Sequence, residues 1–250
     1  MKKELQLQSL SQSETRKLRE AMTIKPQNPK VKKKSAANPE THGTTKTEWT
    51  IDPQMIQNLL SPAECQQIIQ FYKTHKHLIR VGDGSDYWGI RFMHIHNQQI
   101  RDLVNRVIYH LVGEIKVLNG QTVWPEMISI NEWPIGGVQN PHLDTYSSQE
   151  TMHGTESQYP ARQWTCILYL NDDFRGGRTY VPEHEVYEPE VGSGLLFQGI
   201  YIPHGVEKVR RNSRHTISFW FSTNPQKQMP THTVEDLELN EDTWRLELDA

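Results

Sequence analysis

From Gln98 to Leu118, the apolar residues Ile100, Leu103, Val104, Val107, Ile108, Leu111, Val112 and Ile115 recur at the spacing of one helical face. This predicts an amphipathic helix, with Asn119-Gly120 as its stop signal. Ahead of it, Ser61-Pro62-Ala63-Glu64 has the form of a capping box: Ser at the N-cap, Pro at the first helical position, Glu three residues after the cap. Leu60 and Cys65 are placed for a hydrophobic staple. The helix this predicts runs to about Lys76 with Ile68, Ile69 and Tyr72 on one side. Beyond Gly120 the period shortens. Candidate strands are Glu126–Trp133, Gln163–Leu170, Arg178–Val181, Gly194–Gln198 and His215–Ser222, separated by Gly, Pro, Asn and Asp turn signals. Two helices followed by at least five short strands predict an α+β fold with an antiparallel sandwich or barrel at its core.

Residues 1–46 show no such periodicity, and Lys25–Lys34 mixes Pro, Asn and Lys without apolar cover. We therefore expect a disordered basic leader over 1–46, a folded domain over 47–223 and an acidic extension over 224–250. Weakly alternating Leu237, Leu239, Leu246 and Leu248 could let that extension add a strand. Charge divides the same way. Residues 1–48 carry 11 Lys and Arg against 5 Asp and Glu, leaving 16 against 25 for residues 49–250. A net charge of -3 argues against nucleic acid as the default partner. Docking of Lys30, Lys32, Lys33 and Lys34 onto a polyanion is the sharper alternative to a solvated leader, but no aromatic side chain interleaves them. Mean hydropathy is -0.71 and no apolar run approaches membrane length. The basic N-terminus lacks an apolar signal core, and Cys65 and Cys166 stand far apart in apolar settings. The expectation is a cytoplasmic or otherwise intracellular protein in a reducing compartment.

Most of the 12 histidines sit in polar loops or at helix ends. The pairs His75/His77 and His94/His96 lack a third ligand nearby. With 12 histidines and 30 acidic residues in 250 positions, about one H-x-[DE] match arises by chance, so His142-Leu143-Asp144 has little weight alone. Its setting adds to it. It follows a strand and the turn Trp133-Pro134-Ile135-Gly136-Gly137, and period-2 spacing puts both side chains on one face. His204 comes after another strand and turn. Two imidazoles and a carboxylate are the donor set of an Fe(II) facial triad. Arg214 opens the strand that follows.

With these residues in order, the chain resembles the 2-oxoglutarate/Fe(II)-dependent oxygenases, and within them the prolyl 4-hydroxylase branch. The resemblance covers roughly residues 49–222. It is carried further by Arg162-Gln163-Trp164-Thr165-Cys166-Ile167-Leu168-Tyr169-Leu170-Asn171, by Phe174-Arg175-Gly176-Gly177-Arg178-Thr179, and by His204-Gly205-Val206 through Trp220-Phe221.

The resemblance implies a double-stranded β-helix, or jelly roll, buttressed by N-terminal helices. It implies an iron site at His142, Asp144 and His204. Arg214 would hold the distal carboxylate of 2-oxoglutarate, joined by Thr216 and Tyr169, with Thr165 and Trp133 also on the co-substrate side. Arg162, Trp220 and Gln139 would face the substrate, and Arg80 and Trp88 would belong to a mobile substrate loop, Arg80–Gly89. The implied reaction takes Fe(II), 2-oxoglutarate and O₂, with ascorbate as an accessory reductant. It hydroxylates a prolyl side chain of a peptide or protein and releases succinate and CO₂. Trp133 and Gln139 stand where the branch commonly has tyrosine, which leaves open a free amino acid, another small molecule or a nucleobase as substrate. A non-catalytic jelly-roll module has no need of Arg214. A zinc hydrolase on the same ligands lacks a general base.

Overall fold

In the computed structural model, residues 51–81, 88–145, 159–182 and 185–229 are described. A first short strand, β1 (Gln54–Ile56), leads into helix α1 (Pro62–Thr74). Ser61 caps α1 as its sequence requires: Ser61 Oγ accepts from the Glu64 N–H, and Glu64 Oε2 accepts from the Ser61 N–H at 2.8 Å. The segment Arg80–Gly89, expected to be a loop, has paired strands at its ends. β2 (Arg80–Val81) runs antiparallel to β3 (Trp88–Arg91). Helix α2 (Gln98–Asn119) follows, capped by Asn97 Oδ1 on the Ile100 N–H and ended by Gly120 at φ 74. Its buried face is Ile100, Val104, Val107, Ile108, Leu111 and Ile115.

The remaining strands are β4 (Trp124–Trp133), β5 (Gln139–His142), β6 (Arg162–Tyr169), β7 (Thr179–Val181), β8 (Glu185–Tyr187), β9 (Gly194–Phe197), β10 (His204–Val206) and β11 (Arg214–Ser222). They form a seven-stranded sheet in the order β1-β9-β6-β11-β4-β3-β2 and a four-stranded sheet in the order β5-β10-β7-β8. The described pairings are antiparallel. This is the double-stranded β-helix with supporting helices. Among the described residues, no helix is long and apolar enough to cross a membrane.

Strand alternation divides the interior in two. On β11, Ile217, Phe219 and Phe221 join the core shared with α1, α2 and the outward residues of β4 and β6. Arg214, Thr216, Ser218 and Trp220 take the opposite face, and all nine β11 residues are buried. Ile167, Tyr169, Val181, Leu195, Phe197 and Ile202 form a second apolar cluster, which shares Ile167 with the walls of the pocket described below.

His215 lies on the outer face, edge-on to Tyr72 at 5.9 Å between centroids, with Glu132 Oε1 at 3.9 Å. Burial holds its ring below the ordinary histidine value of 6.5, against the opposing pull of Glu132; Lys73 adds to the lowering. The unfolded chain therefore takes up a proton on His215 at a higher pH than the fold does. Stability from this residue is present above about pH 6.5 and declines as pH falls below it. Melting temperature should accordingly drop more between roughly pH 7.5 and 5.5 in the native protein than in His215→Phe. Equal slopes would show that His215 keeps its solution pKa.

Candidate active site

His142 ends β5 and His204 begins β10, and the antiparallel register sets them directly opposite, with ring centroids 4.4 Å apart. Asp144, two residues beyond His142, turns its carboxylate between them. Oδ1 lies 3.7 Å from His142 Nε2, and Oδ2 lies 3.5 Å from His204 Nε2. One ligand atom from each falls within 4.8 Å of the others. Each ring has its Nδ1 against a backbone carbonyl, Asn140 O at 3.2 Å and Ile202 O at 3.1 Å. Donation from Nδ1–H to those oxygens leaves both Nε2 lone pairs facing Asp144.

Burial pushes the Asp144 carboxyl up, but His204, His142 and the Thr165 hydroxyl more than offset it, so the group stays well below the ordinary carboxylate range. Burial drives His204 down to about 4, leaving it neutral at pH 7. Burial also lowers His142, but the adjoining Asp144 outweighs this and its pKa rises. Two neutral or easily neutralised imidazoles and one carboxylate, almost dry, suit a divalent first-row metal with coordination positions left toward the cavity. Among the described residues no other group of this kind exists, so His75/His77 and His94/His96 gain no third ligand.

The triad forms one wall of a pocket of about 390 Å³, its open mouth included. Trp133, Gln139, Ile167, Thr179, Val206, Arg214, Ser218 and Trp220 form the rest. Among the described residues, no carboxylate but Asp144 lines it. Arg214 is 1% exposed. Its Nη2 donates to Thr179 Oγ1 at 3.1 Å, and its guanidinium lies 5.3 Å from the Trp133 ring and 5.6 Å from the Tyr169 ring. Among the described residues, its Nε has no partner and no acid pairs with it. A buried cation without a counter-charge costs several kcal/mol. An anionic ligand in the pocket would offset that cost.

Other expected residues lie elsewhere. Tyr169 is fully buried, and its hydroxyl donates to Thr179 Oγ1 at 2.8 Å. It braces Arg214 rather than lining the pocket. Thr216 lies on the Arg214 face, fully buried, with an unpartnered Oγ1. Thr165 was expected to face the co-substrate; instead its Oγ1 donates to Asp144 Oδ2 at 2.5 Å. Arg162 was expected to face the substrate and is withdrawn behind the site. It donates to the Asp144 carbonyl at 3.2 Å, pairs with Glu126 at 3.0 Å and lies over the Tyr159 and Trp220 rings. Trp133, Gln139 and Trp220 do line the pocket, and the buried Trp220 indole N–H has no partner among the described residues. Arg80 and Trp88 are placed only by backbone, in β2 and β3; their side chains lie outside the described residues. Thr179 and Ser218 were not singled out. Thr179 closes the Phe174–Thr179 motif, and Ser218 shares the period-2 face of Arg214.

Gly199 shows how tightly Asp144 is held. A Cβ there would overlap Asp144 Oδ2 and Thr165 Oγ1, and the Gly199 carbonyl accepts from the Asp144 N–H at 3.0 Å. Removing the hydroxyl in Thr165→Val should weaken metal binding roughly tenfold, as loss of a ligand's supporting hydrogen bond does. Thr165→Ser should restore it. A metal titration in which Val and Thr bind equally would rule out this support.

Residues 128–222 match the family model of the 2OG-Fe(II) oxygenase superfamily. Prolyl 3-hydroxylase 1 of Homo sapiens is 37% identical over 75 residues, covering 27% of this chain and 10% of that protein. The match thus spans about a tenth of the relative's length. Among solved structures, a 2OG-Fe(II) oxygenase family oxidoreductase from Burkholderia pseudomallei aligns with TM-score 0.53 at 17% identity, over 69% of this chain and 84% of that one. The viral collagen prolyl hydroxylase of Paramecium Bursaria Chlorella virus-1 aligns with TM-score 0.53 at 15% identity, over 73% and 99%. These structures share its fold. Over residues 128–222 the chain is thus similar to the 2OG-Fe(II) oxygenase superfamily.

Proposed function

We propose that this protein is an Fe(II)/2-oxoglutarate-dependent dioxygenase that hydroxylates prolyl residues of a peptide or protein. The observation that carries the reading is the buried, acid-free Arg214 in one pocket with His142, Asp144 and His204. In this reading the three ligands hold the iron, with Thr165 and Gly199 fixing the carboxylate. Arg214, braced by Thr179, Tyr169 and Trp133, pairs its planar fork with the distal carboxylate of 2-oxoglutarate. Bound iron and co-substrate supply the O₂ chemistry that oxidises an unactivated C–H bond while 2-oxoglutarate becomes succinate and CO₂. The chain's own part is to orient the co-substrate, to exclude water with Ile167, Val206 and Trp220, and to present the substrate carbon. The prolyl assignment is supported by the names of the relatives.

The test is succinate release from 2-oxoglutarate with Fe(II) and ascorbate, using proline-containing peptides beside free amino acids. Peptide-dependent succinate with a matching mass gain of one oxygen is the expected result, and fragmentation of the product locates the hydroxyl on the ring. Stimulation by free amino acids alone would move the substrate to a small molecule and leave the iron chemistry standing.

A further inference from the structure

One polar network next to the pocket has no part in the roles assigned so far. Ser129 and Asn131 lie on the inner face of β4, cross-strand from Ser218 and Thr216 on β11, and all four are buried. Ser129 Oγ donates to Asn131 Oδ1 at 2.7 Å, which commits the amide oxygen and turns Nδ2 toward Ser218 Oγ at 2.9 Å. Ser218 is thus an acceptor on the Asn131 side. Its own proton meets no acceptor among the described residues, and Ser218 lines the same pocket as Arg214 and the metal ligands. A buried hydroxyl proton that finds no partner in the protein is costly unless a ligand takes it.

The neighbouring strand accommodates this arrangement. Gly89 on β3 pairs with Asn131, and a Cβ there would collide with Ser129 Oγ and Asn131 Oδ1. Glycine leaves the space in which the network lies flat across β3, β4 and β11.

We propose that Ser218 donates a hydrogen bond to an oxygen of 2-oxoglutarate, and that Asn131, outside the pocket, is the positioning residue that makes it a donor. The inference rests on the reading of this pocket as a 2-oxoglutarate site.

The experiment titrates 2-oxoglutarate into the Mn(II)-loaded full chain without O₂, by calorimetry. Ser218→Ala should weaken binding roughly three- to tenfold, and Ser218→Thr should restore it. Asn131→Asp keeps the shape but offers a carboxylate that takes the Ser218 proton for itself, so it should weaken binding at least as much. Asn131→Ala leaves the hydroxyl free to turn and should cost less than Asn131→Asp. Combined with Ser218→Ala, Asn131→Asp should add no more than about twofold, because the two changes remove one interaction. Melting temperature without ligand reports folding. If Asn131→Asp fails to fold, the Ser218→Ala and Ser218→Thr pair decides the donor.

Arg214→Ala, run in parallel, separates the two levels of the argument. Loss of binding there, with native affinity in Ser218→Ala and Asn131→Asp, overturns the donor assignment and leaves the co-substrate site standing. Native affinity in Arg214→Ala overturns the site itself. A greater loss in Asn131→Ala than in Asn131→Asp would show Asn131 to be a packing residue only.

Discussion

Arg214→Ala should raise the 2-oxoglutarate KM roughly 10- to 150-fold, because hydrogen bonds to a charged partner contribute about 1.5–3 kcal/mol and each 1.4 kcal/mol is tenfold. The guanidinium is almost wholly buried and its pKa is lowered by that burial, so in the absence of ligand it bears a desolvation cost that Thr179 and the two aromatic rings relieve in part. This leads to a second, less obvious expectation. Arg214→Met, which fills similar space without a charge, should leave the ligand-free melting temperature unchanged or higher. It should lose co-substrate affinity as fully as Arg214→Ala. Arg214→Lys should fall between, since it keeps the charge but loses the fork. Metal binding should survive all three, because Arg214 is not a ligand. An unchanged 2-oxoglutarate KM in Arg214→Ala would remove the co-substrate assignment with the iron site intact. A large fall in ligand-free stability in Arg214→Met would make Arg214 a structural residue.

Sequence periodicity carried the long elements because it reports burial directly. The face of α2 and the two faces of β11 follow from spacings of 3.6 and 2, and parity alone placed Arg214 and Thr216 together. Eight of the described strands have only two to four residues; of these, β7 and β9 were legible through the turn signals beside them, whereas β1, β2, β3, β5, β8 and β10 show no period. They are defined by cross-strand pairing, β1 on β9, β2 on β3, β3 on β4, and β5 and β8 in one sheet with β10. The site divides the same way. His142, Asp144 and His204 stand in a recognisable order, so their convergence was legible. The resemblance implies a co-substrate role for Thr165, whereas its hydrogen-bond partner is set by how the ends of β5 and β6 meet in space. Asp144 is 21 residues away in sequence. Arg162 misled for a related reason. At a strand end it reads as a surface or substrate-facing charge, yet Glu126, Tyr159 and Trp220 converge on it from three segments. The Ser129–Asn131–Ser218 network depends on the β4–β11 register and on the missing side chain of Gly89, neither of which has a local signal.

His204→Ala should abolish metal-dependent turnover, to below about 1% of native, because three ligands leave no redundancy for a metal that also needs open positions. His142→Ala should do the same, but the two variants should differ in stability. His204 is 4% exposed and its ring packs edge-on to Phe197 at 4.5 Å between centroids, so truncation leaves a void in the wall of the second apolar cluster. His142 sits at the pocket mouth, where its side chain is 15% exposed and water can fill the space it vacates. Ligand-free melting temperature should therefore fall further in His204→Ala than in His142→Ala. The metal itself provides the sharper readout. Anything that binds only the folded state raises its stability by RT ln(1 + [L]/Kd), so excess Mn(II) or anaerobic Fe(II) at about 100 times Kd should stabilise the native protein by about 2.7 kcal/mol. Both alanine variants should lose that gain, whatever their starting stability. Asp144→Asn should lose it too, since the amide keeps the shape but not the charge that faces both imidazoles. A metal-induced rise of native size in either histidine variant would mean that the metal binds elsewhere. The convergence of the three side chains would then be an ordinary buried cluster.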